Sequence, residues 1–392
     1  MISSDKIKYI LLVFIICILG GCNNMSQEPV SNGSSQGLED TKETDSAMLE
    51  EAILLIQDKK YPQAIGLLSQ IKNNKKADDL QEQIRYIISG DYIANLNTGV
   101  AAINNSGKVN IIISDDTIYE YYGYDELSSW TDIRHFSYAH SRLDALDKNG
   151  IIHSTRDTDT TYNPVVDLLK SYTDLSVIST YYDHFALLSK DGKLYIHSER
   201  YSNLLDKYGD YISTWEDVVD VITGDLRIVA LNRGGRVYVA DYNKYVPGAI
   251  DHMYDEIADW TNIVAISAST GGPIAGLKSD GTVVISTSDT KLFANYYSYD
   301  VSDWNDIIAI SKGHSVLIGL KRDGTVVATG DIRRKKLDFS DWTDIIAIAA
   351  GDWFCIGLKS DGTLVIEGET QDDIIPPNVS DVNNLYVPTI TY

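Results

Sequence analysis

The period of the apolar residues changes three times along the 392-residue chain. Residues 1–21 hold one apolar run, Ile10 to Leu19, behind Lys6 and Lys8. Residues 22–45 are polar, rich in Ser, Gly and Asn, and without apolar period, the composition of a flexible tether. Residues 46–90 then place apolar side chains three and four apart. Leu49, Ala52, Ile53 and Ile56 make one stripe; Ile65, Leu68 and Ile71 a second; Ala77, Leu80, Ile84, Ile87 and Ile88 a third. That spacing predicts three helices, with Pro62 suited to the first turn of the second. From residue 91 onward the period falls to two, and short alternating segments separated by Gly-containing turns predict β-strands to the C-terminus.

The strand-forming region repeats. An indole, or a tyrosine in one copy, is followed by Asp or Asn, two apolar strands and a tight turn closed by Gly. The pairs are Trp130 and Gly150, Tyr172 and Gly192, Trp215 and Gly235, Trp260 and Gly281, Trp304 and Gly324, and Trp342 and Gly362. A seventh turn is Ser106-Gly107, and the turn glycines follow one another at 43, 42, 43, 46, 43 and 38 residues. Each unit reads as strand, loop, strand, two-residue turn and strand, the turn glycine supplying positive φ without steric cost. One such unit leaves apolar faces uncovered, and neighbouring units stacked together bury them. The expected fold is mainly β: a seven-bladed β-propeller over residues 91–392, preceded by a small α-helical segment over 46–90. The first unit lacks its indole strand, because Ile87 stands 20 residues before Gly107. "VSDVNNLYVP", 379–388, aligns with "FSDWTDIIAI", 339–348, so the C-terminal strand is expected to complete the first blade and close the ring.

The segment "IIAISKGHSVLIGLKRDGTVVATG" resembles the repeats of the regulator of chromosome condensation family, over roughly residues 91–390. The resemblance implies a seven-bladed propeller. It also implies a recognition scaffold, because exported bacterial members look like binding proteins, among them a secreted propeller that inhibits β-lactamases through its loops. The family's His, eight residues before the turn Gly, is kept only at His184; Arg142, Arg227, Pro273, Val316 and Phe354 hold that slot elsewhere. "KKYPQAIGLLSQI" is similar to one tetratricopeptide-type helical hairpin, expected to act as a spacer packed on its neighbour.

The N-terminus changes the choice of partner. Leu19-Gly20-Gly21-Cys22 after the apolar run resembles the bacterial lipobox, which implies a signal peptide over 1–21, acylation of Cys22 and an extracytoplasmic protein anchored to the membrane by lipid. The whole chain has a formal charge of −23; loss of Lys6, Lys8 and Asp5 with the signal leaves 31 basic and 55 acidic residues, a net of −24. Such a charge repels phosphate backbones, so nucleic acid is not an expected partner. Of three cysteines only Cys355 remains in the body, within the apolar "WFCIGL", which makes it a core residue.

Motifs for chemistry are poor: no phosphate-binding loop, no nucleophile in a known setting and no HExxH. The Asp-Gly pairs at Asp191, Asp280, Asp323 and Asp361 read as hairpin turns, and His135 as a structural strand residue. No catalytic residue, metal site or cofactor is therefore expected. The loops after the first and third strands all reach one rim and are rich in Tyr and Asp. Tyrosine supplies wide contact area with few rotors, as in antibody paratopes. Tyr121, Tyr122, Tyr138, Tyr181, Tyr182, Asp183, Asp225, Asp352 and Trp353 are the candidate partner-binding residues. The expected function is a surface-anchored protein-recognition module; the alternatives are an envelope glycan-binding protein and an enzyme whose carboxylate pair the sequence does not place.

Overall fold

The computed structural model describes residues 36–392 apart from 97–98, 114–123, 140–141, 156–162, 182–183, 199–207, 225–226, 242–254, 270–271, 287–297, 332–336, 369–378, 380–381 and 383. Two compact units are distinguished, Met1–Asp45 and Ser46–Tyr392. In the first, residues 36–45 are the opening turns of helix α1 (Gln36–Gln57), so helix begins inside the stretch that composition alone marks as tether. Everything below concerns the second.

Two further helices follow, α2 (Tyr61–Leu68), with Pro62 in its first turn, and α3 (Lys75–Ser89). Asn74 caps α3 by accepting the Ala77 N–H at 3.2 Å, and Gly90 ends it at φ 70°. Ala52, Ile56, Ile65, Leu68, Leu80 and Ile84 join one hydrophobic cluster with Val264, Ile307 and Ile310, so the helices pack on the strands rather than standing apart.

Among the described residues, twenty-one strands make seven three-stranded antiparallel sheets in chain order. Blade one is β1 (Ile93–Asn95), β2 (Gly99–Ile103) and β3 (Val109–Ile113). Blade two is β4 (Ile133–Ala139), β5 (Arg142–Asp147) and β6 (Ile152–Ser154); the short helix α4 (Asn163–Leu169) leads to blade three, β7 (Leu175–Tyr181), β8 (His184–Ser189) and β9 (Leu194–Ser198). Blade four is β10 (Val218–Thr223), β11 (Arg227–Asn232) and β12 (Val237–Asp241). Blade five is β13 (Ile263–Ser267), β14 (Ala275–Lys278) and β15 (Val283–Ile285). Blade six is β16 (Ile307–Lys312), β17 (Val316–Lys321) and β18 (Val326–Gly330), and blade seven β19 (Ile345–Ala350), β20 (Phe354–Lys359) and β21 (Leu364–Gly368). The blade count agrees with the spacing of the turn glycines.

Middle strands such as "RLDALD" and "HFALLS" are buried along their whole length, because each is covered on both faces by neighbouring blades. The indoles lie over small residues. A Cβ added to Gly276, Gly319 or Gly357 would come within 2.9, 2.7 and 2.8 Å of the Trp260, Trp304 and Trp342 rings. The Asp or Asn two residues after the ring is left-handed in blades two to seven: Asp132, Asp174, Asp217, Asn262, Asp306 and Asp344 have φ between 54° and 61°. Short polar side chains tolerate this conformation best after Gly. It aims the residue's carbonyl at the hairpin turn of its own blade, which donates an N–H from Lys148, Lys190, Arg233, Ser279, Arg322 and Ser360. In blades two, three, five, six and seven the next residue then donates its N–H to the turn glycine of the preceding blade, as Ile133 to Gly107 at 3.0 Å and Ile345 to Gly324 at 3.1 Å.

The C-terminal segment supplies the seventh copy of this device. Asn384 has φ 66°, and its carbonyl accepts the Asn105 N–H at 3.4 Å; Leu385 donates to Gly362 at 3.4 Å and bridges Asn104, and Tyr386 donates to Ile103 at 2.9 Å. The expectation that this segment provides the first strand of blade one is corrected in part. That strand comes in two pieces, with Leu385 and Tyr386 before the bulge and β1, from the N-terminal side, after it. The chain changes over where the first strands of blades two to seven carry a β-bulge.

Candidate functional site

The first strands β1, β4, β7, β10, β13, β16 and β19 touch one another in that order, and β1 also touches β19. They wall a channel of about 350 Å³. Its lining is polar at regular intervals because one position recurs as Ser. Ser137 accepts the Thr180 N–H at 2.8 Å, Ser179 that of Thr223 at 2.8 Å, Ser267 that of Lys312 at 2.9 Å and Ser311 that of Ala350 at 2.9 Å. Each hydroxyl thus stitches one blade to the next. The repeated "S" in "FSYA", "ISTY", "AISA" and "AISK" carried that signal in the sequence, unread.

At the base, where the first strands begin, the C-terminal end of α3 sits in the channel through Arg85, Ile88 and Ser89. The blade position facing it is Ala265, Ala309 and Ala347 in blades five to seven, but Val177 and Asp220 in blades three and four and His135 in blade two. The three alanines make room for α3, which packs on β13, β16 and β19. Arg85 Nη1 donates to the Val264 carbonyl at 2.7 Å, and burial pushes the guanidinium down to about 10. Burial, reinforced by the Asp91 charge, pushes the Asp220 carboxyl up to about 6. His135 Nδ1 lies 3.5 Å from Asp91 Oδ2 with its ring edge-on to Tyr86 at 5.0 Å. Cys355 is 1% exposed in β20.

The rim end carries the predicted residues that the structure describes. Tyr138 is the penultimate residue of β4, Tyr181 ends β7, and Asp352 follows β19; all three line the channel and are half-buried. Trp353, next to Asp352, is half-buried against the cluster of Phe136 and Phe354. With Asn95, whose Nδ2 donates to the Phe354 carbonyl at 2.8 Å, they fall on blades seven, one, two and three, an unbroken arc. Tyr181 also packs on the His184 ring at 5.4 Å. Blades four to six bring Thr223, Ser269, Lys312 and Gly313 to the same mouth, so its two halves differ in chemistry. Tyr121, Tyr122, Tyr182, Asp183, Asp225 and Cys22 lie outside the described residues.

The slot of the single retained His has a structural role. His184 Nε2 donates to the Gly224 carbonyl of the next blade at 2.6 Å, and Arg227 Nη1 to that of Gly272 at 3.1 Å. Arg142, fully buried, donates from Nε to both Asp144 oxygens at 2.9 and 3.0 Å. Long donors at the start of a middle strand therefore tie the rim of one blade to another or anchor it internally. Asp280, Asp323 and Asp361 accept both the N–H and the hydroxyl of the Thr two residues on, which places them as turn residues and holds their carboxyls below the ordinary range.

No protein-family model and no curated protein matches the chain. Among solved structures it is similar to Prp20p from Saccharomyces cerevisiae, at 13% identity and TM-score 0.46, over 79% of this chain and 89% of that one. It is similar also to yeast RCC1 (Prp20) bound to Kap60, at 14% identity and TM-score 0.44, over 72% and 77% of the two chains. A third is the CRINKLY WD40 ectodomain of the Arabidopsis thaliana receptor kinase ACR4, at 11% identity and TM-score 0.46, over 76% and 98%.

Proposed function

We propose that the chain is a lipid-anchored, extracytoplasmic recognition module that binds a protein through the aromatic and acidic arc at the rim of a closed propeller. The observation that carries this reading is the asymmetry of the channel. Tyr138, Tyr181, Asp352 and Trp353, together with Asn95 of blade one, gather on four consecutive blades at one end, while the end of α3 occupies the other. Half-buried aromatic rings beside carboxylates are the residue types that carry most binding energy at protein interfaces, and they suit a partner with a basic or mixed patch. Closure of the ring rests on Asn384, Leu385 and Tyr386, which bond to blades one and seven together. Anchoring rests on the lipobox-like Leu19-Gly20-Gly21-Cys22.

The test has two arms. A tagged full chain, solubilised from the producing cell, is compared with Tyr138→Ala/Tyr181→Ala/Trp353→Ala for co-purifying envelope proteins. A protein retained by the parent and lost by the triple variant is the expected result; equal recovery, or retention of wall polysaccharide alone, overturns the protein reading. Labelling with a fatty-acid analogue, expected in the parent and lost in Cys22→Ser, tests the anchor separately.

A further inference from the structure

The base of the channel holds charges that the rim does not use. Among the described residues, five charged side chains line the channel: Arg85, Asp91, Asp220, Lys312 and Asp352. Three are accounted for. Lys312 Nζ donates to the Gly313 and His314 carbonyls and lies over the Tyr299 ring, Asp91 faces His135, and Asp352 stands at the rim. Arg85 and Asp220 remain. Arg85, which lines the channel, makes one hydrogen bond among the described residues, to Val264, out of a five-donor fork. Among the described residues Asp220 has no cation within 4.0 Å, Arg85 included, although each group stabilises the charge on the other across the gap.

Two opposite charges that face one cavity, sense each other and do not meet are set for a molecule carrying both complementary charges. We infer that the channel base binds a small zwitterion of the α-amino acid class, its carboxylate on the Arg85 guanidinium and its ammonium on the Asp220 carboxylate. The channel volume of about 350 Å³ lies at the low end for ligand pockets, which restricts the ligand to a small molecule. Arginine is the side chain that matches a carboxylate with two parallel hydrogen bonds, so the anionic end is read by geometry as well as charge. Val177, Ile178, Val221 and Ile222 stand beside the two charges in a partly enclosed channel, where both pairings are stronger than in bulk water. A ligand with only one of the charges satisfies one group and leaves the other as it was. The site is independent of the rim: either could exist without the other.

The experiment is calorimetric titration of the full chain in detergent with glycine, L-alanine, propionate and ethylammonium. The expected result is binding of glycine or alanine, with propionate and ethylammonium each weaker by at least about tenfold, since one charge-assisted contact is missing. Asp220→Asn is expected to weaken alanine binding by a similar factor without loss of fold, because it removes an unpaired charge and keeps the shape; its thermal melt verifies this. Arg85→Gln should weaken alanine and propionate together and leave ethylammonium unchanged. Absence of amino-acid binding, propionate binding as tightly as alanine, or a folded Asp220→Asn variant with parental affinity would each overturn the inference.

Discussion

Leu385→Ala tests whether the two chain ends share one blade. Leu385 is 1% exposed in a cluster with Ala102, Ile103, Leu358 and Leu364, so it is packed between blades one and seven. Truncating a fully buried leucine costs about 2–5 kcal/mol, depending on how far the site collapses. The backbone bonds from Leu385 to Gly362 and from Tyr386 to Ile103 survive the substitution and hold the segment in place, so a value near 3 kcal/mol is expected. In a body of this size each kcal/mol moves the melting temperature by about 2 °C, a fall of about 6 °C followed by near-ultraviolet circular dichroism. Deletion of residues 379–392 removes more. It also takes the Asn105 to Asn384 side-chain bond at 2.8 Å, the paired bonds between Gln83 and Thr391, and the Tyr386 ring lying 6.3 Å from Tyr86 and Tyr92. At about 1 kcal/mol per hydrogen bond the deletion should at least double the loss. A deletion variant that melts with the parent would show that the ends are not joined as described, and Leu385→Ala within 1 °C of the parent would mean the same of the apolar contact.

Three further outcomes follow from particular residues. Gly324 has φ +84°, and an added Cβ would lie 3.1 Å from the Asp344 Cα, so Gly324→Val should cost about 2 kcal/mol or more by thermal melt. Gln81 on α3 is 2% exposed and neither of its amide atoms has a partner among the described residues; Gln81→Met should raise stability by about 1–2 kcal/mol in the same assay. Asp220 holds its proton to a pKa of about 6 when folded, above its unfolded value, so its cost to stability is absent at low pH and grows as pH rises through that window. Asp220→Asn should therefore leave the melt near pH 4 unchanged and raise stability near pH 7.5 by about 2 kcal/mol.

The seven sheets were legible because one period recurs in residues with unmistakable backbone roles. Turn glycines and the Asp or Asn after each indole are dictated by local φ, and local demands survive sequence divergence between blades. Val382 has lost the ring that Trp342 keeps, yet Asn384 keeps the left-handed carbonyl, which is why the C-terminal copy was recognisable at all. What escaped depends on contacts between distant segments. Ala265, Ala309 and Ala347 look like ordinary members of alternating strands; only with α3 in place is their smallness explained. Ser137, Ser179, Ser267 and Ser311 read as solvent-facing positions, and their bonds run to the next blade some 40 residues away. Splitting the first strand of blade one where the other blades carry a bulge joins residues nearly 300 apart, and no local period reports that. For the candidate site, position in the loops after the first strands singled out Tyr138, Tyr181, Asp352 and Trp353, and the structure places Tyr138, Tyr181 and Asp352 on the channel lining; Arg85, on a helix, and Asp220, in a strand that reads as core, carry no such signal.

The most direct measurement of the recognition account is site-specific photo-crosslinking in the producing cell. A photoreactive phenylalanine analogue replaces Tyr181 at the rim in one strain and Leu54, 64% exposed on α1, in another. The account predicts a discrete protein adduct from Tyr181 that is absent from Leu54. Adducts from Leu54 alone, or none from Tyr181 while the protein is present and folded, would contradict it.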